Sequence, residues 1–308
     1  MTPLNPALFY FWAHGSIGKG YNPMDELDTP TFRTLIDRSD SVFIEFVSPN
    51  LDGSRELERD LNEYIKTGEM PIKLRECYDY QIESQGETGY DFFIANLIQR
   101  TQKRIVLEKT LSAPFNFNEE NDRASRAFFE RSFNQALEAK RIFLEMNEKY
   151  QVPREIDVAE QISALPETTL VIFGAGHPQL ERIVSAQRPT EVHFPYYNYN
   201  NGFATHLGMK YRETGEVNIE LFLRSNAEGM VRKGINEKFR RSISSRETDL
   251  LAHHYASVLT PDQIVRYKDY TVFCKTMLVG INFTDILESF LKKESITPVE
   301  EVLAGLRR

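Results

Sequence analysis

Two histidines and two glutamates in this chain stand at or near the ends of apolar runs. His14 follows Leu8-Phe9-Tyr10-Phe11-Trp12-Ala13, and Glu45 lies within Ser41-Val42-Phe43-Ile44-Glu45-Phe46-Val47. Glu108 follows Lys103-Arg104-Ile105-Val106-Leu107, and His177 follows Leu170-Val171-Ile172-Phe173-Gly174-Ala175-Gly176. Two imidazoles with two carboxylates are a suitable ligand set for Zn, Mn, Fe or Co. A metal held there with an open position would acidify a bound water and polarise a carbonyl. Without a metal, the same groups can deprotonate water, with a carboxylate orienting a histidine as general base. Arg154, just ahead of the last run, is suited to stabilise an oxyanion or to hold a substrate carboxylate. Glu45 is the odd member, because a carboxylate inside an apolar run is costly unless it is paired, hydrogen-bonded or bound to a metal.

These residues meet only if the apolar runs are neighbouring strands. Continuous apolar runs separated by helical segments predict a mainly parallel sheet with helical crossovers, an α/β fold in which the C-terminal strand ends share one edge. Thr29-Pro30 predicts a capped helix to about residue 38, and Ser54 a second over 55–67. A helix carrying Phe92, Phe93, Ile94, Leu97 and Ile98 follows, while residues 71–87 have no clear pattern. Asn116 to Glu119 predicts the start of a long helix that reaches about Tyr150 and is closed by Pro153, with Phe128, Phe129, Phe133 and Phe143 as core. Arg154 to Ile162 predicts a separate short helix, and a further one runs from His177 to about Ser185. Residues 194–203, rich in Tyr and Asn, predict a packed Ω-like loop or one that covers a cleft or lines a partner surface. From about Glu216 the pattern is helical, with Pro at the first helical position of capping boxes at Thr260 and Thr297. The expected division is an α/β core over 1–210 and a helical extension over 211–308, packed on the core or against a second copy of the chain.

Composition narrows the function classes. The 308 residues are 41% hydrophobic and 27% charged, as in ordinary globular proteins, and the net charge of −8 argues against general affinity for nucleic acid or anionic membrane. Cys77 and Cys274 are too few for a disulfide framework. No long apolar stretch predicts a membrane span, and the opening Met1-Thr2-Pro3-Leu4 lacks the features of a signal peptide, so a cytoplasmic location is expected. His253 and His254, adjacent on a predicted helix, project about 100° apart and make poor co-ligands.

Five segments taken together point to a family. Val171-Ile172-Phe173-Gly174-Ala175-Gly176-His177, Val42-Phe43-Ile44-Glu45, Val106-Leu107-Glu108-Lys109-Thr110, the Arg154 helix with Val158-Ala159 and Ile162, and the first strand ending in His14 occur in order over residues 7–185. This pattern resembles the TraB/PrgY group, which includes TIKI and GumN-like proteins and is distantly similar to the erythromycin-esterase and ChaN-like fold. Phe11 stands where that group has the Gly of Gly-x-x-His. The resemblance implies an α/β hydrolase, in the TIKI case a metal-dependent peptidase, acting on an amide or ester of a peptide or small molecule. Its expected site has His14, Glu45, Glu108 and His177 around a divalent metal (Mn, Co, Fe or Zn), with Glu45, Glu108 and Arg154 as catalytic residues.

Other readings stay open. Gly174-x-Gly176 after a strand suits a dinucleotide-binding turn, although Gln179 replaces the third glycine and Glu191 is a poor ribose-binding acid. A non-catalytic protein that captures a peptide or partner on the same fold is a second reading, and a metal-free His/Glu esterase a third. A Ser or Cys hydrolase lacks support, because there is no G-x-S-x-G motif.

Overall fold

Successive side chains of a strand point to opposite faces, so a run that is apolar throughout must bury both. The computed structural model describes residues 5–12, 27, 29–48, 51–85, 90–111, 117–130, 132–174, 177–193, 202–239, 242–243, 245–278 and 280–307. Its strands are β1 (Ala7–Trp12), β2 (Ser41–Ile44), β3 (Val47–Ser48), β4 (Arg104–Leu107), β5 (Thr110–Leu111), β6 (Thr169–Gly174) and β7 (Thr190–His193). Five of them form one all-parallel sheet in the order β4-β2-β6-β1-β7, and β3 pairs with β5. The expected α/β fold with a parallel sheet is what the chain adopts.

The two faces of the sheet build two cores. Leu8, Tyr10, Val42, Ile44, Ile105, Leu107, Leu170 and Ile172 pack with Phe32, Leu61, Ile65, Phe92 and Ile98. The alternate residues Ala7, Phe9, Phe11, Phe43, Val106, Val171 and Phe173 pack with Val158, Ala159, Ile162, Leu180 and Val184. Burial of each large apolar side chain contributes roughly 1.5–3 kcal/mol. The first core is covered by α1 (Pro30–Arg38), α2 (Leu51–Thr67) and α4 (Tyr90–Leu97), between which α3 (Ile72–Gln85) fills the stretch with no clear sequence pattern. Thr29 caps α1 as expected, its Oγ1 accepting from the Phe32 N–H at 3.1 Å. Helix α2 begins at Leu51, so Ser54 is a buried residue inside it rather than its cap.

Three backbone groups on the outer side of the edge strand β4 are paired by side chains of α2. Asn62 on α2 accepts from the Ile105 N–H at 2.9 Å and donates to the Ile105 carbonyl at 2.8 Å, and Glu58, one turn earlier, accepts from the Leu107 N–H at 2.8 Å. Two helical side chains thus substitute for a neighbouring strand.

The long helix departs from expectation at both of its joints. It is divided into α5 (Phe117–Glu130) and α6 (Phe133–Ser163), because Ser132 bonds Gln135 Oε1 through both its N–H and its hydroxyl and so starts a new helix. Pro153 does not end α6, which runs on through the Arg154 segment that the sequence predicts as separate. An internal proline loses one backbone bond and costs about 3 kcal/mol. The turns beyond it offset this by burying Arg154, Val158, Ala159 and Ile162. Helix α7 (Pro178–Ser185) then follows His177 as predicted, whereas β7 falls on a stretch that reads as no strand.

The described residues fall into two compact units. One comprises those between 5 and 111 together with 150–193, and the other 117–149 together with 202–307; the boundary passes inside α6 between Lys149 and Tyr150. The second unit is all helical among its described residues: α5 and the start of α6 join α8 (Phe203–Thr214), α9 (Ile219–Phe239), α10 (Ser245–Val258), α11 (Pro261–Met277), α12 (Phe283–Lys293) and α13 (Val299–Leu306). Phe128 and Phe143 belong to its core, as the aromatic stripe predicts, with Phe129 and Phe133 packed against it. Thr260 and Gln263 form the expected reciprocal capping box, but Thr297 does not, because α13 starts behind Pro298 and the Thr297 carbonyl accepts from the Tyr255 hydroxyl at 2.7 Å. No helix among the described residues is long and apolar enough to cross a membrane.

Candidate functional site

Strands β2 and β4 pair Ile44 with Leu107, and β3 and β5 resume at the same offset with Val47 and Thr110. Glu45 and Glu108 are therefore equivalent residues in adjacent parallel strands, in the short gap between the two ladders. Backbone bonds carry into that gap, from the Glu45 N–H to the Ile172 carbonyl and from the Glu108 N–H to the Ile44 carbonyl, both at 3.0 Å. Strand alternation turns both carboxylates to the face of Phe43 and Val106, which the C-terminal part of α6 covers. Side by side, two like charges repel. The arrangement requires a cation between them.

Arg154 supplies it. Its Nε donates to Glu108 Oε1, and its Nη2 to both Glu108 Oε2 and Glu45 Oε1, each at 2.7 Å. The planar fork suits two carboxylates in a way that a lysine ammonium does not. The remaining acceptors are also engaged: Glu45 Oε2 accepts from the Gly174 N–H at 2.6 Å, and Glu108 Oε2 from the Phe46 N–H at 3.2 Å. Arg154 lies over the Phe173 ring, 5.3 Å from its centroid, and its Nη1 reaches Gln151 Oε1 at 3.4 Å. The guanidinium is held above its ordinary pKa, because the two carboxylates overcome the opposing effect of burial.

His177 completes the cluster from the end of β6. Its Nε2 stands 3.4 Å from both Glu45 Oε1 and Arg154 Nη1, and its Nδ1 3.2 Å from Glu155 Oε1, with the ring edge-on to Phe173. Burial disfavours the imidazolium, but Glu45 and Glu155 outweigh it and raise the pKa to about 9. At neutral pH the ring is charged. It can therefore donate protons but is not a resting general base.

Glu45, Glu108 and His177, which the sequence places at or near strand ends, and Arg154, which it places on a helix, are brought into one cluster. His14, Ala175 and Gly176 lie outside the described residues, as do residues 194–201 of the Tyr/Asn-rich segment. Glu155, buried beside His177, is a member that sequence reasoning misses, and so is Gln151. Nothing in the charged stretch Arg154-Glu155-Ile156-Asp157 sets Glu155 apart, since only the helix phase decides which carboxylate turns inward. Tyr150, one turn before Arg154, is half-buried and donates its hydroxyl to the Leu111 carbonyl at 2.9 Å.

The donor types suit a divalent metal, but in the described arrangement Arg154 already fills the cationic position between Glu45 and Glu108. Among the described residues no group of three or more His, Cys, Asp or Glu side chains is arranged to hold an ion. As they stand Glu45, Glu108 and His177 are engaged with Arg154 and with one another, and His14, the fourth expected ligand, lies outside the described residues. No family model, curated protein or solved structure matches this chain.

Proposed function

We propose that the chain is a hydrolase of ester or amide bonds, in a peptide or small molecule, that works directly through the His177–Glu45–Arg154 cluster. One observation carries this reading: a charged imidazole, a guanidinium and paired carboxylates are gathered within 2.7–3.4 Å at the C-terminal ends of three adjacent parallel strands. That edge is where open α/β sheets build their sites. The resemblance to the TraB/PrgY pattern supports the same class.

Each residue has a role that its surroundings permit. Arg154 stabilises the oxyanion that develops on the substrate carbonyl. Glu45 takes the proton of the attacking water once Arg154 turns to the substrate, and His177, charged at rest, protonates the leaving oxygen or nitrogen. Glu108 is fully buried and aims Arg154, while Glu155 holds the ring of His177; both are positioning residues. The test is turnover of a panel of nitrophenyl esters and N-acyl dipeptides by the full chain and by a folded His177→Gln variant. Hydrolysis by the wild type, reduced at least 100-fold in the variant, is expected from the usual worth of an acid–base group. Absence of turnover, or equal turnover by the two proteins, overturns the reading.

A second reading, capture of a peptide or partner without catalysis, is favoured by the saturation of the cluster. Both oxygens of Glu45 and of Glu108 already accept hydrogen bonds. Binding of a peptide that survives His177→Gln, without turnover by either protein, would support it.

A further inference from the structure

The cluster is closed to solvent at almost every point: Arg154 is 5% exposed, Glu45 and His177 are 8%, and Glu108 and Glu155 are buried. Tyr150 differs. It precedes Arg154 by one turn of α6, where residues four apart lie on the same face, and its ring is half-buried. Its hydroxyl bonds the carbonyl of Leu111, a residue 52% exposed at the end of β5, three positions beyond Glu108. The phenol also interacts electrostatically with Arg154, Glu108 and Glu45. It is thus a half-buried group on the helix face of Arg154 that already presents its donor to a carbonyl oxygen.

We propose that Tyr150 is the residue through which a substrate engages this site, its hydroxyl passing its hydrogen bond from the Leu111 carbonyl to the carbonyl of an ester or amide. The inference rests on the hydrolase reading and adds to it a substrate-contacting group. A phenol suits this task because burial raises its pKa, so it keeps its proton and remains a donor. The exchange replaces one neutral bond to a carbonyl by another, so docking leaves no buried polar group unpaired.

Tyr150→Phe removes only the hydroxyl. With the full chain and the ester and dipeptide panel, the variant is expected to keep its circular dichroism spectrum and lose at least tenfold in kcat/KM. A purely structural strap would instead lower the melting temperature and leave kcat/KM within twofold. Active wild type with an equally active Tyr150→Phe overturns the role of Tyr150 and leaves the hydrolase reading standing. A wild type without turnover removes the hydrolase reading, and this role with it.

Discussion

Arg154 decides the state of the cluster, because without its charge Glu45 and Glu108 would be two adjacent buried carboxylates. Removing one partner of a buried ion pair typically costs about 3–5 kcal/mol. Arg154→Met is expected to destabilise the protein by about that amount in denaturant titrations. Arg154→Lys is expected to recover only part of it, since an ammonium cannot repeat the three bonds made to two carboxylates. His177 gives the second expectation at this scale. Its pKa is about 9 in the folded chain against about 6.5 unfolded, so its contribution is fully present below about pH 6.5 and is lost as pH rises through 9. The full difference corresponds to about 3 kcal/mol. Unfolding free energy measured from pH 6 to 10 should fall across this window in the wild type, and the fall should be absent in His177→Gln.

At the scale of elements, the sequence shows strands well and their edges poorly. The runs at Ala7, Ser41, Arg104 and Thr169 read as strands because both of their faces are buried. Strand β7 escapes because it is a short edge strand with its side chains only partly buried, and its Glu191 is paired with Arg38. Pro153 misleads for another reason: local propensity predicts a stop, but burial of the next two turns outweighs it. The convergence of Glu45, Glu108 and His177 is legible, because strand ends in a parallel sheet share an edge. The saturation of the carboxylates by Arg154 is not, since it depends on the phase of α6. Asn62 belongs to this scale as well. Asn62→Ala would strip both backbone groups of Ile105 of their partner, at a cost of about 1–3 kcal/mol. Light scattering should also show increased self-association through the bared edge of β4.

Among the described residues, a parallel α/β unit is combined with an all-helical one, and Glu45, Glu108, Arg154, Glu155 and His177 lie in the first. The helical unit draws on residues 117–149 as well as on the C-terminal region, a detail that periodicity alone does not reveal, because α6 runs unbroken through the boundary. We propose that the chain hydrolyses esters or amides with its own side chains, Arg154 holding the cationic position between Glu45 and Glu108. The most direct measurement is turnover by full-length protein after chelation, with metal content determined on the same sample, comparing wild type with Glu45→Gln. Undiminished hydrolysis by metal-free wild type, abolished in Glu45→Gln, is the predicted result. Turnover that disappears with the metal and returns on its addition, or that persists unchanged in Glu45→Gln, would rule out hydrolysis by these side chains alone.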